Sequence, residues 1–186
     1  DSNSLGFTGN NKGFQKINLS WNNLSYADGY LLYKLDNKTG EYKEIANFKE
    51  TGYEDTQAIV GSTYQYKTIP FIRISNKADG VILGNESIVQ TKSELEKANG
   101  LKVKKQGKKY LKWNRNKNFS GYVVYRKEGK SKKFKIIKTI TSNKKTTYID
   151  RKVKRNKKYY YKIRGFRTVD KKKIYGKYSA VKSIKR

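Results

Sequence analysis

The sequence predicts an all-β chain of two tandem β-sandwich modules, about seven strands in each. Three observations carry that prediction: an internal repeat, period-two alternation inside it, and turn-forming clusters between the alternating stretches. The repeat has an offset of 92 residues: Trp21 matches Trp113, Gly29-Tyr30-Leu31-Leu32-Tyr33 matches Gly121-Tyr122-Val123-Val124-Tyr125, Tyr42 matches Phe134 and Ile45 matches Ile137. The register then slips by three, so that Thr51, Tyr53 and Asp55 fall on Thr146, Tyr148 and Asp150, and Tyr64, Tyr66 and Phe71 on Tyr159, Tyr161 and Phe166. It returns to 92 where Gly84, Ser87 and Val89 match Gly176, Ser179 and Val181. Small insertions between strands account for both slips.

Inside each unit the shared positions alternate: Leu19 and Trp21, Tyr30 and Leu32, Tyr64 and Tyr66, then Leu111 and Trp113, Tyr122 and Val124, Tyr159 and Tyr161. Successive strand residues face opposite sides, so period two in β-branched and aromatic residues indicates strands with one buried face. Ala27-Asp28-Gly29, Asp36-Asn37-Lys38-Thr39-Gly40, Val60-Gly61-Ser62, Ala78-Asp79-Gly80 and Ser142-Asn143-Lys144 supply turns. That spacing gives the strand number of an immunoglobulin-like sandwich. Alternation breaks at Ser93-Glu94-Leu95-Glu96-Lys97-Ala98, shortly before Gly100. Modules are therefore expected at residues 1–92 and 99–186, with residues 93–98 as a short linker that restricts the angle between them.

Composition narrows the function. Hydrophobic residues are 35% of the chain, and 16 Tyr, 7 Phe and 2 Trp supply much of the bulk for two small cores. The 186 residues include no Cys and no His, which removes disulfides, thiolates, the common transition-metal ligands and the usual neutral-pH general base. Neither a cofactor nor a metal site is expected, and the chain is not expected to be an enzyme. The carboxylate pairs Glu54/Asp55 and Glu94/Glu96 sit in no recognisable loop motif and read as solvated turn or linker groups. No run of about 18 apolar residues is present, and residues 1–6 lack the pattern of a signal peptide. The expectation is a soluble, monomeric piece of a larger protein without a membrane span.

A Trp on the second strand, Gly-Tyr-x-x-Tyr on the third, and Gly61-Ser62-Thr63-Tyr64-Gln65-Tyr66 together resemble fibronectin type III modules. The resemblance is strongest in Tyr148-Ile149-Asp150 followed by Lys158-Tyr159-Tyr160-Tyr161-Lys162-Ile163-Arg164-Gly165-Phe166. It is closest to the Lys- and Tyr-rich versions that occur in tandem in secreted and wall-associated proteins of Gram-positive bacteria, and covers roughly residues 8–92 and 99–186. It implies that Tyr64 and Tyr159 are tyrosine-corner residues, whose hydroxyls hold the turn before the sixth strand. Pro70 departs from the pattern, because inside a strand it removes a ladder hydrogen bond unless it lies at an end, edge or bulge. There is no Arg-Gly-Asp, so integrin binding is not implied.

Charge separates the two copies. Residues 1–97 hold 11 Lys or Arg against 12 Asp or Glu, net −1, whereas residues 98–186 hold 33 against 3, net +30. Compositional bias toward Lys, Asn, Ile and Tyr acts on both units alike, so it does not by itself explain acids kept in one and lost from the other. Thirty-three cations on a surface of about 5,000 Å² average roughly 12 Å apart, beyond a Debye length of about 8 Å, so the fold tolerates them at physiological salt. Two readings follow: a second module that contacts a polyanion, and a solvated basic surface without a defined partner. Lys far outnumbers Arg, which favours loose, sequence-blind attraction over planar recognition.

The candidate polyanion-binding residues lie in three runs that read as turns and strand ends. These are Lys132, Lys133 and Lys135; Arg151, Lys152, Lys154, Arg155, Lys157 and Lys158; and Lys171, Lys172 and Lys173. Lys162 and Arg164 join them if Tyr159, Tyr161 and Ile163 point inward. Tyr160 and Tyr125 then point outward as a possible stacking face, although exposed Tyr is also ordinary on sandwich surfaces. For a module of this bacterial type, a teichoic-acid-like wall polymer is the expected partner. Nucleic acid or sulfated glycans would bind by the same physics. The rival expectation is an adhesin module that binds a protein, with charge incidental.

Overall fold

A computed structural model describes residues 4–75, 77, 80–106, 108–130 and 133–185, with backbone alone at 105, 106 and 108. The turn expected at Ala78-Asp79-Gly80 falls largely outside the described residues. The chain divides into two compact units, Asp1–Glu94 and Leu95–Arg186. Every strand pairing in both is antiparallel.

In the first unit β1 (Thr8–Asn11), β2 (Ile17–Ser20) and β5 (Gly52–Asp55) form one sheet in the order β1-β2-β5. The second sheet runs β4 (Tyr42–Phe48), β3 (Gly29–Leu35), β6 (Thr63–Arg73), and β7 (Val81–Leu83) and β8 (Ser87–Lys92) both pair with the far edge of β6. The second unit repeats this plan. β9 (Lys102–Gln106), β10 (Lys108–Lys112) and β13 (Thr147–Asp150) make the order β13-β10-β9. β12 (Lys135–Ile140), β11 (Gly121–Glu128) and β14 (Lys158–Val169) make the other sheet, and β15 (Lys172–Tyr175) and β16 (Lys182–Lys185) share the edge of β14.

The alternation dictates which faces meet. Ile17, Leu19 and Trp21 from one sheet and Tyr30, Leu32 and Tyr66 from the other form the first core, with Leu5, Leu24 and Ala58 closing its ends. Leu111, Trp113, Tyr122, Val124, Tyr159, Tyr161 and Ile163 are the buried counterparts in the second unit. Each Trp meets its neighbouring Tyr edge to face, Trp21 with Tyr30 at 5.6 Å and Trp113 with Tyr122 at 5.4 Å, the arrangement favoured by ring quadrupoles. One core position differs in kind: Ile17 faces Asp55 across the β2–β5 ladder, and its counterpart opposite Asp150 is Lys109. Lys109 is 1% exposed and donates from Nζ to the Lys185 carbonyl at 3.1 Å.

About seven strands per unit were expected and eight are found among the described residues, because the final edge strand is broken in two. Pro70 lies at the break in the first unit. β8 pairs with Thr63 to Thr68 and β7 with Phe71 to Arg73, which leaves Pro70 opposite the gap. Its carbonyl accepts from Gly84 N–H at 2.8 Å across that gap. A strand residue's carbonyl and nitrogen point to the same side, so the missing N–H faces a place where no ladder partner stands. Gly165 takes the same role in the second unit, accepting from Gly176 at 3.0 Å. Gly29 and Gly121, shared by the repeat, open β3 and β11. A Cβ at Gly121 would strike the Ile140 carbonyl, and one at Gly29 would lie 2.6 Å from the Phe71 ring.

The residues expected as a linker belong to the units themselves. Ser93 is fully buried and exchanges backbone hydrogen bonds with Ser62 (2.9 Å) and Gly61 (2.7 Å), and Glu94 N–H donates to Asn11 at 2.9 Å. Leu95 and Ala98 are buried, and Glu96 accepts from the Asn118 side chain at 2.9 Å. Alternation stops here because the segment lies outside every strand.

Candidate functional site

Both units contain the same buried polar cluster. In the first, Asp55 accepts from Tyr66 Oη (2.6 Å), Lys34 Nζ (2.6 Å) and the Gln57 N–H (2.8 Å). In the second, Asp150 accepts from Tyr161 Oη (2.9 Å), the Lys152 N–H (3.0 Å) and Arg126 (2.8 and 3.0 Å), which also reaches the Lys152 carbonyl at 2.6 Å. A carboxylate buried this deeply is tolerable only when its lone pairs are filled, and here they are. Asp55 therefore differs from the solvated turn group expected from sequence.

Burial alone would push the Asp55 carboxyl up, but the bonds from Lys34, Tyr66 and Gln57 outweigh it and hold its pKa below the ordinary value. A depressed folded-state pKa adds stability above the unfolded value of about 4, and that stability is lost as pH falls through the folded value. The melting temperature of the first module is expected to drop as pH is lowered from 4, and less so in Asp55→Asn. Half-buried Asp36, held at about 2 by the Lys43 hydrogen bond, is expected to contribute part of the remaining slope. Equal acid sensitivity in the two proteins, read by calorimetry, would refute this. Burial and the adjoining carboxylates push Tyr66 and Tyr161 far up, so both modules also lose stability above about pH 10.

The second unit's cluster also pins the β13–β14 connection. Val153 is buried, the Lys154 N–H donates to Tyr159 Oη at 2.9 Å, and Asn156 takes φ 56°. The equivalent bond in the first unit runs from Ile59 N–H to Tyr64 Oη at 2.7 Å. On this fixed backbone the side chains of Arg151, Lys152, Lys154, Arg155, Lys157 and Lys158 are exposed. The β11–β12 turn lies beside it, because Gly129 N–H donates to Lys158 O at 2.9 Å and Lys157 reaches Glu128 at 3.9 Å. Exposed Lys133 and Lys135 follow that turn.

The outer face of the β12–β11–β14 sheet carries interleaved cations and rings. Lys127 stands over Phe134 (5.2 Å) and Tyr160 (5.1 Å), Lys162 over Tyr178 (3.4 Å) and Phe134 (4.7 Å), and Arg164 over Tyr175 (3.8 Å). The first unit has the start of such a ladder, with Lys67 over Tyr42 at 4.5 Å and Tyr33 at 5.3 Å and paired with Glu86 at 3.2 Å.

No family model matches the chain, and no curated protein matches it. Solved structures do. A two fibronectin type III domain segment from chicken tenascin superposes with a TM-score of 0.60 at 12% identity, with 97% of each chain covered. Chicken interferon gamma receptor alpha chain gives 0.60 at 11% identity, covering 96% of this chain and 95% of that one. The fold is that of two tandem fibronectin type III sandwiches. At such identities the likeness concerns the fold alone.

On this fibronectin type III framework the predicted residues separate. The run from Arg151 to Lys158 and the pair Lys133 and Lys135 gather at one end of the module, while Lys132 lies outside the described residues. Lys171, Lys172 and Lys173 lie at the β14–β15 turn, a length of β14 away, roughly 40 Å. Tyr125 points outward, as expected, but is only 6% exposed, because Tyr178 packs on it edge to face at 5.3 Å and Val123, Phe166 and Phe134 surround it. It is no free stacking platform. Tyr160, Lys162 and Arg164 are half-buried and engaged with one another's neighbours rather than held open. Sequence reasoning missed the Asp–Tyr–cation clusters. Their signal was the constant spacing of 11 residues from Asp55 to Tyr66 and from Asp150 to Tyr161. The group of at least three carboxylates that a metal ion would need is absent among the described residues.

Proposed function

We propose that the chain is a non-catalytic spacer and attachment segment of a larger secreted or cell-surface protein, of the Gram-positive bacterial kind that the Lys- and Tyr-rich repeat resembles. Its second module holds an anionic wall polymer of the teichoic acid type. The supporting observation is the partition of charge across one scaffold. Divided at Glu94/Leu95, the modules carry 10 basic against 11 acidic residues and 34 against 4. Of those four acids Asp150 is ion-paired inside, Glu128 faces Lys157, and Glu96 bonds to Asn116 and Asn118. The surface field is therefore almost wholly positive, and a polymer that displaces condensed counterions is drawn to it.

Titration of the full chain with a wall polymer, followed residue by residue in NMR, tests this. Shifts are expected in the second module alone, with affinity falling by at least about a hundredfold between 50 and 200 mM salt. Salt-independent binding, or equal shifts in both modules, would overturn it. A second reading, protein contact by the first module, is favoured by its β6–β7 hairpin, where Ile72, Val81, Ile82 and Leu83 are all exposed.

A further inference from the structure

The outward face of the β13-β10-β9 sheet differs between the modules at nearly every position. Across the ladders, Lys102 stands opposite Lys112, Lys104 opposite Tyr110, and Tyr110 opposite Ile149. The corresponding ladder places in the first module hold Thr8 opposite Ser20, Asn10 opposite Asn18, and Asn18 opposite Glu54. There the face is closed on itself: Thr8 and Ser20 hydroxyls bond at 3.0 Å, and Lys16 pairs with Glu54 at 2.8 Å. In the second module Lys102, Lys104 and Lys112 are exposed, Tyr110 is half-buried between them, and Ile149 is 42% exposed where the acid stood. A groove of about 410 Å³ runs among Gly100, Lys102, Lys104, Tyr110, Lys112 and Asn114.

The Cα atoms of residues two apart on one strand lie about 6.7 Å apart, and those of ladder partners on neighbouring strands about 5 Å. Three lysines are thus arranged along and across a groove whose described lining holds the Tyr110 ring and no carboxylate. Resting on the reading of the second module as polyanion-binding, we infer that this face, and not the loop runs, is the seat of a base-free linear phosphodiester, a polyol-phosphate chain. Lys102, Lys104 and Lys112 would meet successive phosphates, with the Tyr110 ring and Ile149 under the polyol carbons. Two features favour this occupant over single-stranded nucleic acid. The trough has one aromatic ring, whereas a groove for single strands stacks successive bases on several. It also has Lys without Arg, point charges with no fork for base edges.

The test uses the full chain and purified poly(glycerol phosphate). Lys102→Gln/Lys104→Gln/Lys112→Gln is compared with Lys154→Gln/Arg155→Gln/Lys157→Gln, which removes the same charge from the loop end. All six side chains are exposed, and unchanged melting confirms that both variants fold. The sheet variant is expected to raise Kd at least about tenfold and to lower the slope of log K against log salt by about 2, with the loop variant changing Kd less than about threefold. Equal losses in both variants would overturn the seat while leaving polyanion binding intact. Failure of the unaltered chain to bind would instead remove the reading beneath it. Tighter binding of oligothymidylate than of poly(glycerol phosphate) at the same salt would overturn the choice of occupant.

Discussion

Asp150→Ala is expected to destabilise the second module by about 3–5 kcal/mol while the first module melts as before. The carboxylate is 2% exposed in its side chain and is the acceptor for Tyr161, the Lys152 N–H and Arg126 together. Removing it leaves the half-buried Arg126 guanidinium without its anion, in a module whose surroundings are already strongly positive. It also unties the loop from Arg151 to Lys157, because two of that loop's anchors end on Asp150 or on the Lys152 carbonyl that Arg126 grips. Calorimetry of the full chain should show one transition displaced and one unmoved. Tyr161→Phe, which removes a single neutral donor, should cost about 1 kcal/mol. If Asp150→Ala costs no more than Tyr161→Phe, the cluster is not a cooperative unit.

The second large effect concerns the core. Trp113→Ala is expected to cost about 3–5 kcal/mol, since the ring is 2% exposed and wedged against Tyr122, so its loss leaves a cavity that two paired sheets cannot collapse to fill. Its Nε1 has no hydrogen-bond partner among the described residues, so the indole contributes volume rather than a bond. Trp113→Phe, which keeps an aromatic face but loses one ring, should recover part of the loss, at a remaining cost of about 1–3 kcal/mol. Urea unfolding monitored at the two modules separately would check the order Ala, Phe, wild type. A variant with Phe as damaging as Ala would show that the indole shape itself is required.

The fold was legible because strand alternation and repetition point the same way. Trp21 and Trp113, and the Gly-Tyr openings of β3 and β11, report packing constraints that any copy of this sandwich must meet. Pro70 raised a genuine conflict, resolved only by the gap between β7 and β8, which depends on a partner strand some 15 residues on in sequence. Of the candidate site, sequence order shows the loop runs but not which residues share a face. Runs of Lys are visible in sequence as runs, and these fall in loops and at strand ends. Lys102, Lys104, Lys112 and Tyr110 are brought onto one face by ladder register, which sequence order hides. Tyr125 was given its correct direction from period two, yet its burial comes from Tyr178, a residue more than 50 positions away.

Lys109, at the ladder place that Ile17 fills, bears on how neighbouring copies avoid folding into each other. Adjacent modules with one topology invite strand exchange during refolding. A β10 strand taken into the first module would carry Lys109 to a site that is 0% exposed and already supplied with one cation by Lys34. The reverse exchange would put Ile17 beside Asp150, losing the buried ammonium and its bond to the Lys185 carbonyl. Exchange would bring a buried ammonium to an apolar place in one direction and remove it from its carbonyl partner in the other, so this one apolar-to-cationic difference is expected to help each strand find its own sandwich.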